Sequence, residues 1–315
     1  MLRTSIRSQF FVLILLGLVY LMSAQRRGYK WEFGIGTGFA NYLGEIGGRE
    51  KAARPWIMDM KMAKTRISEM IYAKYRFDPL FAVRFALNYN LISGEDRLSI
   101  NEGRKYRNLS FRNNIWDFET TIHWYIYNSK KPMGIYSRSN AYFTAYIFAG
   151  VGAFHHNPKT KYQGSWVNLQ PLQTEGVLYS KWGYCLPFGA GFYITINKRR
   201  RSHRIGLEVN WRYTNTDYLD DISTVYKDPS LLSSATAVAL SNRNPEVDRQ
   251  PDGFEGNYGW HGLGTDGQPV NKAPRGDPSD KDSFISFNVT YAVALKMRPG
   301  KFRRSKGRRI RTVTF

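Results

Sequence analysis

The 315-residue chain has a single cysteine, Cys185, so no internal disulfide can staple the fold and no thiolate cluster can hold a metal. Histidine is sparse, at five residues. Acidic residues are also short in supply: 25 Asp and Glu face 46 Lys and Arg, leaving a formal net charge of +21. Beyond Met22 no apolar run is long enough to form a membrane-crossing helix, although hydrophobic residues make up 42% of the chain. What the sequence does have is aromatics, with 21 Tyr, 19 Phe and 8 Trp. Together with a mean hydropathy of −0.46, this composition suits many short strands.

Arg3 and Arg7 precede the apolar stretch Phe10 to Met22, which ends in small residues before Gln25. That is the layout of a secretory signal peptide, with Ala24 as the last residue removed. At 13 residues the stretch is shorter than the roughly 20 that span a bilayer as a helix, which argues against an N-terminal anchor.

From residue 31 the chain alternates with period two, the mark of strands whose faces meet different surroundings. Trp31, Phe33, Ile35, Thr37 and Phe39 share one face of the first strand, and Glu32, Gly34, Gly36, Gly38 and Ala40 share the other. A hairpin follows around the turn Asp78-Pro79-Leu80. Further runs begin at Ile115, Ala141, Tyr184, Ile205 and Ser283, making eight strands of roughly 9 to 13 residues. Their connections alternate between short (78–80, 128–140, 197–204) and long (41–65, 93–108, 155–181, 215–282). This rhythm and strand length predict an all-β fold: an eight-stranded antiparallel up-and-down transmembrane β-barrel of the outer membrane, with long extracellular loops.

Face chemistry separates this reading from a soluble barrel with an apolar interior. Bulky aromatics line one face, while Lys74, Arg76, Arg84, Asp117, Glu119, Glu208 and Arg212 sit beside glycines on the other. The interior of an eight-stranded barrel is just wide enough for side chains to fill it, so these charges of both signs are expected to pair inside as a lumen network. The spacing of Gly34, Gly36 and Gly38 raises the question of a phosphate-binding loop, but such a loop bends from strand into helix. Phe33, Ile35 and Phe39 keep the strand running, so the glycines read as a lumen-facing stripe that leaves room for long charged side chains opposite.

The basic excess is concentrated at one end of the predicted barrel. Without residues 1–24 the net charge is +19, and segments 25–30, 78–80, 128–140, 197–204 and 297–315 carry +18 of it. The turn with Lys198, Arg199, Arg200, Arg201 and Arg204, and the tail with Arg303, Arg304, Arg308 and Arg309, form a basic collar. Export argues against nucleic acid as its partner. The collar fits either an acidic periplasmic protein or anionic lipid head groups.

No catalytic constellation stands out, and no cofactor is expected. His123 reads as a structural hydrogen-bonding residue, while His155 and His156 should point apart. Asp217, Asp220 and Asp221 could gather a hard cation, although the same residues cap turns equally well. In the long seventh connection, Asp228 as N-cap and Pro229 at the first helical position predict a short helix.

Several phrases carry a family resemblance: "WEFGIGTGFANYLGEI", "VGAFHHNPKTKYQGSWVNLQPLQTEG", "WRYTNTDYLDDISTVY" and "RGDPSDKDSF". They resemble the PorG-like family of small outer-membrane barrel subunits of the Bacteroidota type IX secretion system. The resemblance covers most of the mature chain and marks Asp217, Tyr218, Leu219, Asp220 and Asp221 as a signature. It implies a non-catalytic role in protein transport: a barrel in outer-membrane lipid, with periplasmic termini, that contacts a ring formed by a lipoprotein and its soluble partner. The competing functional readings are a lipid-modifying barrel enzyme and a related barrel with no secretion role. The implied organisation is a signal peptide at 1–24, the barrel at 25–297 and a basic periplasmic tail at 298–315.

Overall fold

The computed structural model describes residues 31–46, 64–99, 102–129, 141–197, 201–247, 261–263, 269–271, 274–279 and 281–295. The expected signal peptide at 1–24 and the expected basic tail at 298–315 lie outside the described residues. Eight long strands form the wall: β1 Trp31–Leu43, β2 Arg66–Arg76, β3 Phe81–Glu95, β4 Ser110–Asn128, β5 Ala141–His155, β8 Trp182–Asn197, β9 Arg201–Thr214 and β12 Ser283–Leu295. Each is antiparallel to its neighbours, and β12 pairs with both β9 and β1, so the sheet closes. The expected eight-stranded up-and-down barrel is the fold.

One trip around the ladder from Phe192 passes Leu207, Val289, Thr37, Glu69, Tyr89, Trp116 and His155. It returns to β8 at Trp182, ten residues from its start. A stagger of ten on eight strands sets the tilt at about 40°, given ~3.3 Å per residue and ~4.8 Å between strands. The 11 residues of β2, the shortest wall strand, then rise about 25 Å, the height of the apolar band of an outer-membrane barrel.

The alternation places each face as expected. Phe33, Ile35, Ile71, Phe118, Ile122, Val151 and Val289 are exposed on the outside, while Lys74, Arg84, Glu119 and Arg212 are buried within. This polarity is the reverse of a water-soluble barrel, and it is stable only where the outside meets lipid.

Several wall strands run longer than the sequence pattern suggested, because they continue past the apolar band at the end opposite the chain termini. β4 has 19 residues, and its upper part, Ser110 to Ile115, lies outside the run of alternating aromatics. There it pairs with β6 Pro158–Tyr162, which folds back on β7 Ser165–Asn168. The connection expected to be a plain loop therefore contains a hairpin. A two-residue turn, Gln163 and Gly164, supports that hairpin, and both have positive φ, as such a tight reversal requires. A further two-stranded sheet joins β10 His261–Leu263 and β11 Pro269–Asn271.

The predicted helix after Asp228 is only partly formed. Asp228 does cap, accepting from the Ser230 amide at 2.9 Å, but it opens a single 3₁₀ turn, Pro229–Leu231. A separate helix follows, Ala235–Ser241, capped by Ser234. Ser234 supplies the hydroxyl acceptor that the interior of a longer helix would have wasted. Helix Glu102–Arg107 lies between β3 and β4.

The main apolar core sits at the loop end and not midway down the barrel. Tyr42, Ile46, Ile92, Phe111, Ile115, Phe154, Leu219, Ile222, Leu240 and Phe284 pack together there, where long connections fold over the rim. Below it the lumen holds smaller clusters of Met70, Tyr72, Ala86 and Ala292, and of Tyr125, Tyr146, Phe148 and Tyr193.

The glycine stripe on β1 faces the lumen. A Cβ at Gly38 would collide with the Phe287 carbonyl oxygen, and one at Gly34 with the Tyr72 ring. The space thus serves close strand approach and a tyrosine, more than the long charged chains expected from sequence. Gly38→Leu should abolish the heat-modifiable band of the folded barrel on SDS gels. Gly36→Ala, which meets only the movable Met70 methyl at 2.8 Å, should retain it.

Candidate functional site

Alternating positions on five wall strands, β1, β2, β3, β4 and β9, bring eight charged side chains into the lumen. Four are basic (Lys74, Arg84, Arg204, Arg212) and four acidic (Glu32, Asp117, Glu119, Glu208), all nearly inaccessible to solvent. They form three tiers. Nearest the chain termini, Glu32 pairs with Arg204 and, at 3.3 Å, with Lys74. Tyr72 donates to Glu32 at 3.1 Å, and Lys74 lies within 6 Å of the Tyr72, Tyr146 and Tyr193 ring centres.

In the middle tier Arg84 donates to Glu208 at 2.7 Å, and the Tyr146 hydroxyl donates to the same carboxylate at 2.7 Å. Above it Arg212 bonds Glu119 at 2.5 Å and lies 3.5 Å from Asp117. Asn88 and Asn90 donate to Asp117, and Asn210 donates to Glu119, so carboxylate lone pairs beyond the ion pairs are also satisfied. Burying an ion costs several kcal/mol, which is recovered only when the opposite charge and such hydrogen bonds are in place.

Of the residues expected in this network, Lys74, Arg84, Asp117, Glu119, Glu208 and Arg212 are brought together. Arg76 lies at the edge, where its guanidinium covers the Tyr125 ring at 4.1 Å and donates to the Asp78 carbonyl in the turn. Arg204 requires a correction. It was assigned to the basic rim, but β9 begins at Arg201, so residue 204 alternates inward and belongs to Glu32. Glu32 was visible as an inward residue, yet its partners come from β2 and β9, far away in sequence. Lys198, Arg199, Arg200, Arg303, Arg304, Arg308 and Arg309 lie outside the described residues, while Arg201 is exposed.

The loop end is closed by a second polar cluster. Tyr42 Oη lies 2.7 Å from Asp220 Oδ2 and 2.5 Å from Asp282 Oδ1, and it accepts from the Glu45 amide. One phenolic proton cannot serve two carboxylates, so one of them must hold a proton of its own. Burial and mutual repulsion push both carboxyls well above the usual range. Asp221, at φ 71°, accepts from Thr174 and Tyr179, each at 2.6 Å. Leu219 is fully buried, with its carbonyl held by Asn113 at 2.7 Å, and Tyr218 stacks on Tyr179 at 4.5 Å.

Arg275 bonds Glu175 at 2.9 Å and the Asp221 carbonyl at 2.6 Å, while Glu175 accepts from the Ser223 and Thr224 amides. Arg107 is bidentate to Asp96 and reaches the Arg275 carbonyl. The signature Asp217 to Asp221 is therefore a latch that fastens three connections to the rim. Asp217, Asp220 and Asp221 do not converge on a cation as considered from sequence, because Asp220 and Asp221 are consumed by tyrosine hydroxyls on different elements. Among the described residues no group of three or more His, Cys, Asp and Glu is arranged to hold a metal ion.

The histidines behave as structural groups. His123 is buried, with Nε2 3.2 Å from the Thr121 hydroxyl and its ring stacked on Phe148. His155 and His156 point apart: the first packs edge-on against Trp182, and the second is buried against the Ser180 carbonyl.

Residues 7–232 match the profile of a family described as "Domain of unknown function (DUF6089)". The chain belongs to the DUF6089 family. The matched region ends before β12, although a DUF6089 barrel of this topology cannot close without that strand. No curated protein matches the chain.

Among solved structures the DUF6089 barrel is similar to Neisserial surface protein A (TM-score 0.31, 8% identity, covering 85% of this chain and 97% of that one). It is also similar to Ail of Yersinia pestis, crystallised with the heparin analogue sucrose octasulfate (0.31, 9%, 84% and 98%). A third is the outer membrane protein OprG from Pseudomonas aeruginosa (0.36, 11%, 87% and 100%). Values this low carry no weight for function, and the architecture rests on this chain's own strand pairing.

Two predictions follow from the charge clusters of the DUF6089 barrel. Arg84→Met strands Glu208 in the lumen and should cost about 3–5 kcal/mol in urea unfolding from micelles, whereas Arg84→Met with Glu208→Leu should recover most of it. At the loop end, burial raises Glu45 to about 7 and Asp217 and Asp221 to about 6. For acids raised in this way the latch is fully stable below about pH 4 and loosens as pH climbs through 6 to 7. Hydrogen exchange of residues 216–224, corrected for intrinsic rates, should show protection falling from pH 5 to pH 8. Glu45→Gln should flatten that change.

Proposed function

We propose that the protein is a non-catalytic outer-membrane barrel that serves as an anchor or scaffold in type IX protein secretion or gliding machinery. In this reading it sits in outer-membrane lipid with its termini in the periplasm, and its basic terminal end docks a periplasmic ring formed by a lipoprotein and its soluble partner. The observation that carries the proposal is the filled lumen. Three tiers of paired charges occupy the space a solute would need, which leaves the two end surfaces and the wall as the faces available for function.

β1 begins and β12 ends on the same rim, where Glu32 pairs with Ala294, so residues on either side of the barrel emerge together. The sequence next to those strands is strongly basic and Arg201 is exposed on the same rim, which suits an acidic protein surface as the partner. At the other rim, loop phrases shared with the PorG-like family meet in one latch: Glu175, Asp220, Asp221, Arg275 and Asp282 come from three of them.

In-cell crosslinking from position 201, followed by pull-down, should capture a periplasmic ring subunit. Deletion of residues 298–315 should abolish capture while the barrel still folds, and raised salt should weaken it. Undiminished capture by the truncated barrel would overturn docking through the tail. Normal secretion of outer-membrane cargo in a clean deletion would overturn the secretion role.

A further inference from the structure

Within the apolar band, the outward-facing positions of the described strands carry one carboxylate, Glu69 on β2; the outward Glu95 lies beyond the band at the loop end of β3, where it pairs with Lys64. The neighbours of Glu69 on that face of β2 are Ile67 and Ile71, both exposed to the surroundings. Across the ladder it pairs with Thr37 on β1 and Tyr89 on β3. Thr37 Oγ1 donates to Glu69 Oε1 at 2.9 Å, and no Lys, Arg or His of the described residues forms an ion pair with it.

Its depth makes this arrangement unusual. Six residues separate Glu69 from Tyr75 at the terminal end of β2, which at a 40° tilt places the carboxylate about 15 Å up a band about 25 Å tall. It is therefore level with hydrocarbon and below the lipid head groups. An ionisable group at that depth is costly unless something in the membrane meets it, and Thr37 supplies a single neutral hydrogen bond. Beside it the wall forms a groove of about 510 Å³, lined by Ile35, Thr37, Glu69, Ile71, Leu87 and Tyr89 among others. Residues of six adjacent strands, from β9 through β12, β1, β2 and β3 to β4, shape this recess.

We infer that Glu69 and its groove form a lateral docking site for a membrane-embedded segment of another protein that presents a Lys or Arg. Charge complementarity selects that occupant. A second copy of this chain would bring its own Glu69 and no basic residue of the wall at that level, and a lipid amine would have to leave the head-group layer. The groove takes the partner's apolar side chains, and Glu69 receives the cation in surroundings where a charge-assisted bond is strong. The inference rests on the barrel crossing a bilayer and is independent of docking at the basic rim.

The test places a photo-crosslinking residue at Ile71 in the full chain in its native membrane, with Leu186 on the opposite wall strand β8 as control. A discrete protein adduct should form from position 71 and not from 186, and its peptide should carry a Lys or Arg within a membrane-spanning segment. Glu69→Leu and Glu69→Lys should each reduce the adduct at least tenfold, and changing the partner's cation to Glu should restore it in Glu69→Lys. Heat-modifiable mobility checks folding, with Glu69→Gln as the milder variant should Glu69→Leu fail to assemble.

Adducts to lipid alone, an adduct to a second copy of this chain, or an adduct undiminished by Glu69→Leu and Glu69→Gln would each overturn the inference. Because the tail is untouched in every variant, ring capture from position 201 reports separately on the terminal rim.

Discussion

The lumen's charge balance is the constraint on which the rest of the structure depends. A closed wall that shows lipid an apolar face must put its polar residues inside, and an interior this narrow holds almost no water to solvate them. Four cations against four anions meet that requirement, and tyrosine, asparagine and serine add further hydrogen bonds to the charged groups. Apart from Glu32 and Lys74 on neighbouring β1 and β2, the pairs link strands that are not neighbours: Arg84 on β3 reaches Glu208 on β9, and Glu119 on β4 reaches Arg212 on β9. They therefore fix the circular cross-section as well as the net charge. The inward glycines answer a separate need, the close approach of neighbouring backbones and of the tyrosine rings between them.

The loop end solves a different problem. Long connections carry many backbone amides and carbonyls that must be bonded if the segment is to hold one shape. Here carboxylates from the connections take up amides of other connections, as Glu175 does for Ser223 and Thr224, and tyrosines join carboxylates across elements. A buried layer of Leu219, Ile222, Leu240 and Phe284 lies beneath. The described stretches of the seventh connection around Asp217–Thr224 and Arg275 are thus held as part of the barrel's end.

Period-two alternation was enough to read the eight wall strands and the inward placing of Lys74, Arg84, Asp117, Glu119, Glu208 and Arg212, because a strand gives each residue only two directions. Arg204 was misread since a turn and the first inward residue of a strand look alike when the boundary shifts by a few positions. The β6–β7 hairpin was hidden because its strands are only five and four residues long and are broken up by Lys159, Lys161 and Asn168, while the core that Tyr162 and Val167 pack against is built from distant segments. The partners of Asp220 and Asp221 could not be read locally either, since Tyr42 and Tyr179 lie 178 and 42 residues away. Glu69 stood in plain view in the outward register, but its isolation among apolar neighbours emerges only when β1 and β3 are placed beside it.

The seam formed by β12 has a mechanical consequence. β12 is held in register against twelve residues of β1 on one side and thirteen of β9 on the other, with its strand axis running toward the rim where the chain leaves at Leu295. A pull on Leu295 directed along that axis loads both ladders lengthwise. It therefore strains both ladders in shear, all bonds at once, and does not peel them one by one. A tether attached at that point would have to break two full ladders together before the wall opened.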